Sequence, residues 1–161
     1  HSAGNPVSSL QSFIDQIPFA KEMGIKLVEA QRGFVQLKIE PRPVLFNHLR
    51  TYQAGVYFTL AEITGGVLFG TLIDLSKNFL ITRKVEILFE SSTRDVMIAE
   101  ASLDPLRLDA FLTEFETKRK LTARVEVSLK TIGQQIVVRS HNEYYLRRGI
   151  PKYFSLTPPA S

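Results

Sequence analysis

The sequence predicts an α+β fold in which a curved antiparallel sheet wraps around one long central helix. Three observations lead there. Several segments alternate apolar and polar residues with a period of two, as strands with one solvated face do. One stretch, 52–73, is apolar on every side, the pattern of a helix buried all round. A mostly antiparallel sheet must cover its apolar face, and this helix is the one element apolar enough to do so. Gly65, Gly66 and Gly70 lie within it and allow close approach of the strands.

Each element follows from local chemistry. Ser9 is expected to cap a short amphipathic helix with Leu10, Phe13, Ile14 and Ile17 on one side. Pro18 ends it or begins a second turn through Met23, which Gly24 stops. Ile25, Leu27 and Ala30 mark a first strand. Val35, Leu37 and Ile39 alternate with Gln36, Lys38 and Glu40 in a second, after a tight turn at Gln31-Arg32-Gly33. Pro41 and Pro43 end the pairing, and 44–51 reads as a loop. Beyond the long helix, 78–90 and 96–103 read as strands. Asp104-Pro105 opens a helix carrying Leu108, Phe111, Leu112 and Phe115. Ala123, Val125, Val127 and Leu129 alternate with polar residues in a half-buried strand. A turn at 131–134 leads to a last strand over 136–146, and the tail from Arg147 reads as irregular.

The length, 161 residues with 44% hydrophobic and 22% charged content, suits a single domain over 1–161, with 1–8 and 149–161 expected to be flexible. His1-Ser2, with no methionine before it, reads as an expression remnant outside the fold, and no signal peptide is expected. Zero cysteines exclude disulfides and thiol chemistry and fit a reducing compartment, so the expected location is cytoplasmic. A net charge of +4 allows attraction to an anionic ligand but is too small and scattered for nucleic acid. The stretch 52–73 is long enough for a membrane span, yet Gln53, Glu62 and four glycines favour a core helix, and no membrane is expected. No His, Asp and Glu cluster has metal spacing, and no glycine-rich phosphate loop occurs.

Residues 47–62, Asn47-His48-Leu49-Arg50-Thr51-Tyr52-Gln53-Ala54-Gly55-Val56-Tyr57-Phe58-Thr59-Leu60-Ala61-Glu62, carry a family pattern. The segment resembles the active-site region of phenylacetate-degradation type thioesterases of the hotdog fold. In that pattern an asparagine precedes the helix, His-Gly-Gly starts it, and an acid follows a Leu-Ala pair. Here these positions hold Asn47, Gln53-Ala54-Gly55 and Glu62 at the family's spacing. Ile17-Pro18-Phe19 and Gly24-Ile25 also resemble the family's start. Gln53-Ala54-Gly55 in place of His-Gly-Gly points to an uncharacterised thioesterase-like branch.

The resemblance implies an acyl-coenzyme A or acyl-carrier thioester as substrate, with no cofactor beyond the coenzyme A of that substrate. Glu62, the sole charge in the long helix, is the expected base or nucleophile; the other reading is a buried acid held by an arginine. Backbone amides of Ala54 and Gly55 at the helix start would stabilise the oxyanion. Asn47 either orients water or the carbonyl, or caps its own loop. Gln53 can donate a hydrogen bond but cannot titrate. His48 is a loop histidine beside the site, and Phe58 is core or acyl pocket. Arg83-Lys84, Lys118-Arg119-Lys120 and Arg147-Arg148 either contact coenzyme A phosphates or are solvated charge. His141 is placed on a strand face.

Geometry adds an assembly. Ala54 and Glu62 stand about 12 Å apart along a helix axis, too far for one chain to present both to one carbonyl. Two antiparallel helices about a two-fold axis pair them across subunits, so a homodimer, or a homotetramer built from two, is expected. The competing function is a non-catalytic acyl-coenzyme A binding module, which the Gln53 departure keeps open. A dehydratase ranks last, because no acid–base histidine sits on the helix.

Overall fold

The computed structural model describes residues 6–154. Two helices, α1 (Pro6–Asp15) and α2 (Pro18–Met23), precede the hairpin of β1 (Lys26–Gln31) and β2 (Phe34–Ile39). A 3-10 turn at Pro43–Leu45 leads to the central helix α3 (Ala54–Phe69). Then come β3 (Asn78–Phe89), β4 (Met97–Ser102), α4 (Pro105–Lys118), β5 (Lys120–Thr131) and β6 (Ile136–Arg148). The strands form one sheet in the order β1-β2-β4-β5-β6-β3, antiparallel throughout. The inner face lies on α3, as the hotdog arrangement requires.

The helix is apolar all round because nearly all of it is covered. Val56, Tyr57, Leu60, Ala61, Ile63 and Thr64 are buried, and so is every residue from Gly65 to Phe69. Facing them are Leu37 and Ile39 of β2, Ala99 of β4, Val125 and Leu129 of β5, and Tyr144 and Leu146 of β6. Asp104 caps α4 by accepting from the Leu106 and Arg107 amides, with Pro105 at its first position. Phe111 of α4 packs on Phe69 at 5.2 Å between ring centres, closing the end of the core beyond α3.

Several boundaries differ from the sequence reading. The central helix is shorter than 52–73: Tyr52 forms a bridge with Phe46, and Leu72 and Ile73 lie in turns. Apolar residues at both ends are buried by loops, so hydropathy overran the helix. Ser9 does not cap α1, which begins a turn earlier at Pro6. Residues 6–8, read as flexible, belong to that helix. β6 extends through Arg148, and Phe154 then returns against Phe79 at 4.8 Å. Residues 1–5 and 155–161 lie outside the described residues.

β3 contains a bulge between Thr82 and Lys84. Leu80 and Thr82 face inward before it, opposite Leu146 and Tyr144; Val85 and Ile87 face inward after it, opposite Asn142 and Ser140. The extra residue, Arg83, resets the phase, so the charged Lys84 and Glu86 point outward.

Candidate active site

The helix start is held from two sides. The Gln53 amide donates to the Leu45 carbonyl at 2.9 Å, and the Tyr52 amide to the Thr93 carbonyl at 3.0 Å. The Tyr52 hydroxyl donates to the Asp95 carbonyl at 2.8 Å, while the Tyr57 hydroxyl accepts from the Thr93 amide at 3.0 Å. Burial raises both tyrosine pKa values, so both remain neutral donors.

Asn47 organises the loop before the helix. Its Oδ1 accepts from the Leu49 and Thr51 amides at 2.9 and 3.2 Å; its Nδ2 donates to Thr51 Oγ1 at 3.0 Å and the Tyr52 carbonyl at 3.3 Å. The side chain therefore caps its own loop, and both amide protons are engaged there. His48 stands exposed at the tip of that loop.

Gln53 is the N-cap by position, with extended backbone and no side-chain capping bond. The Val56 amide turns back to the Gln53 carbonyl at 2.9 Å, while no acceptor occurs among the described residues for the Ala54 and Gly55 amides. Both residues are exposed. Two donors at the positive end of the helix dipole are thus left to solvent or ligand. A methyl group built on Gly55 would meet nothing within 4 Å, so the space before these amides is open.

Ala54, Phe58 and Glu62, four residues apart, form one stripe along α3. It is the face that the sheet leaves uncovered: Ala54 and Gly55 are exposed, Phe58 is 41% exposed, and Glu62 is half-buried. One Glu62 oxygen accepts from Thr82 Oγ1 at 2.5 Å. Among the described residues no cation lies within ion-pair distance of it. Burial therefore dominates and raises the carboxyl pKa, with the Thr82 bond opposing. The alternative of an acid clamped by arginine does not describe this residue.

Two buried side chains fix Glu62 along the helix axis. The Tyr144 hydroxyl donates to the Glu62 carbonyl at 2.6 Å, and Asn142 Nδ2 donates to the Ala61 carbonyl at 3.0 Å and to the Tyr144 hydroxyl at 2.8 Å. A β-carbon on Gly65 would lie 2.3 Å from that hydroxyl, so glycine is what allows β6 to reach the helix backbone. Sequence reading missed Thr82, Asn142 and Tyr144. The signal for the last two was present: in 138–146 the inward phase runs Val138, Ser140, Asn142, Tyr144, Leu146, with polar groups at core positions.

The basic candidates on β3 separate. Arg83 is exposed at the bulge beside Thr82, whereas Lys84 turns to the outer face and pairs with Glu86 at 3.0 Å. His141 also lies on the outer face, with Nδ1 3.2 Å from Glu126. Among the described residues no group of three or more His, Cys, Asp or Glu is placed to hold a metal, and no helix is long and apolar enough to cross a membrane.

Comparison with solved structures places this architecture in the hotdog thioesterase superfamily. A Pseudomonas aeruginosa protein of unknown function described as a probable thioesterase is 28% identical, with a TM-score of 0.77 over 89% of this chain and 97% of its own. A Haemophilus influenzae thioesterase is 10% identical, with a TM-score of 0.71 over 91% of this chain and 94% of its own. A Chlorobaculum tepidum protein of unknown function is 17% identical, with a TM-score of 0.76 over 89% and 94%. No curated protein matches. Residues 8–146 match one family, and the chain belongs to it: the domain of unknown function DUF4442.

Proposed function

We propose that this chain hydrolyses acyl thioesters, of coenzyme A or an acyl carrier, at a site shared by two copies. The observation that carries the reading is Glu62: a half-buried carboxylate that, among the described residues, has no cation within ion-pair distance, on the uncovered stripe of α3 where two amides have no acceptor among those residues. The description of the Pseudomonas aeruginosa relative as a probable thioesterase supports the same reading.

In this account the thioester carbonyl oxygen lies against the Ala54 and Gly55 amides of one subunit. Glu62 of the other subunit takes a proton from water or attacks the carbonyl directly. Asn47 acts through the loop it caps, and Thr82 aims the carboxylate. Phe58 lines the acyl path between them, Gln53 and His48 border its mouth, and Arg83, exposed at the bulge next to Thr82, is the cation offered to the phosphates of the carrier. Lys84, committed to Glu86, contributes less than the paired reading implied. No cofactor takes part beyond the coenzyme A of the substrate. The separation of Ala54 and Glu62, about 12 Å along one helix, is what demands the second copy.

A thiol-release screen over acyl-coenzyme A substrates of varied chain length tests the reading, with Glu62→Gln alongside. Release that Glu62→Gln abolishes is the expected outcome. Gln53, non-titrating and exposed where the family pattern has histidine, favours a second reading: saturable acyl-coenzyme A binding without thiol release by either chain would establish a binding module instead.

A further inference from the structure

Two basic runs far apart in sequence meet at one end of the sheet. Lys120 of β5 pairs directly with Arg147 of β6, and the Arg148 amide donates to the Arg119 carbonyl at 2.8 Å. With Lys118 and Tyr145 these residues line a groove of about 570 Å³. For either run alone, solvated charge is the simpler account. Together they gather five cations on one short surface. Like charges directly opposite across strands are unfavourable. Arg119 holds a left-handed backbone, φ 62°, at the position after α4 where glycine is the common choice. Lys118 and Arg148 are offset by Glu114 and Glu116, each at 3.2 Å, but Arg119, Lys120 and Arg147 have no acid within ion-pair distance among the described residues.

An aromatic cluster lies beside the groove, and its Tyr145 belongs to the lining. Phe79 of β3 lies in register with Arg147, so ring and cations share one row across three strands. Its ring contacts Tyr145 at 6.5 Å and Phe154 at 4.8 Å, and Phe154 contacts Tyr153 at 4.7 Å. Tyr153 is 81% exposed. Unpaired guanidinium and ammonium groups suit phosphate oxygens, and an exposed ring beside them suits a planar base.

We propose that this groove binds a nucleoside diphosphate moiety, with Lys120 and Arg147 on the phosphates and the Phe79–Tyr145 side against the base. Three unpaired cations match a ligand with two or more phosphates. Beyond this short groove the outer face alternates charge, with Arg124 against Glu143, His141 against Glu126 and Lys84 against Glu86, which favours a small nucleotide over a nucleic acid strand. Coenzyme A contains such a moiety, so the ligand is either a free nucleotide or the nucleotide end of a thioester carrier. The assignment does not depend on Glu62 chemistry: a chain that releases no thiol can still pass the test below.

Calorimetric titration of the full chain with adenosine 5′-diphosphate, unacylated coenzyme A, inorganic pyrophosphate and a ten-residue oligothymidylate provides the test. Saturable adenosine diphosphate binding is expected, tighter than pyrophosphate and weakened by salt. A Lys120→Ala/Arg147→Ala chain, whose replaced side chains are exposed and whose folding is checked by circular dichroism, loses that binding at least tenfold. Coenzyme A binding much tighter than the diphosphate assigns the groove to a thioester carrier; similar affinity assigns it to a free nucleotide. The proposal is overturned if adenosine diphosphate does not bind, if the double variant binds it unchanged, if pyrophosphate binds equally well, or if the oligonucleotide binds more tightly.

Discussion

Glu62 pays for its place in the molecule with stability, and that cost has a pH signature. A carboxyl whose folded pKa is raised binds its proton more tightly in the native than in the unfolded chain. At pH values below the ordinary carboxylate range both states are protonated and the residue costs nothing. As pH rises through that range the unfolded chain ionises first, and stability falls until the folded group has ionised as well. Glu62→Gln keeps an acceptor for Thr82 but has no charge to bury. Its melting temperature is therefore expected to exceed the parent's at neutral pH, with the gap closing in acid; calorimetry across pH measures this. The same shift sets the activity profile, which is expected to rise with a midpoint above the usual glutamate value. Glu62 was legible in the sequence because it is the lone charge in a long apolar stretch and sits at the spacing of a known pattern. Thr82 was not: its inward aim depends on the bulge at Arg83, which leaves no mark in the alternation of 78–90.

At the scale of elements, α3 is fixed against β6 by hydrogen bonds rather than by apolar packing alone. Tyr144→Phe removes the donor to the Glu62 carbonyl and the acceptor for Asn142, and is expected to cost about 1 kcal/mol in denaturant unfolding. Gly65→Ala is expected to cost more, about 1–3 kcal/mol, because its methyl would overlap the buried Tyr144 hydroxyl and the Asn142 amide, outweighing alanine's helix preference. Thiol release should fall in both variants, since either change moves the carboxylate along the helix axis. The strands were readable from their period of two, and the helix from its all-round hydropathy. Its ends were not, because Tyr52 at one end and Leu72 and Ile73 at the other are apolar for loop packing. Hydropathy reports burial without reporting which backbone is buried.

For the whole molecule, the proposed shared site needs a surface on which a second copy can dock. β3 is an edge strand hydrogen-bonded only to β6, and it carries Ile81, Leu88 and Phe89 at 40%, 60% and 46% exposure. An open edge that carries exposed apolar residues, and that reaches the α3 stripe through the Thr82–Glu62 bond, suits the second copy that the proposed site requires. Ile81→Lys with Leu88→Lys is expected to shift sedimentation toward monomer and to reduce thiol release in parallel. The proposed pairing follows from helix geometry alone; that β3 offers it an edge required the strand order.

The shared site is tested most directly by subunit mixing. Glu62→Gln leaves the helix start intact, and Gly55→Val, built into open space, leaves Glu62 intact. Each chain alone is expected to release no thiol. Unfolded together and refolded as mixed dimers, they form one site from the intact Glu62 of one chain and the intact helix start of the other, and activity returns. Mixed dimers that stay inactive while each variant still folds and pairs would contradict a site built across two subunits.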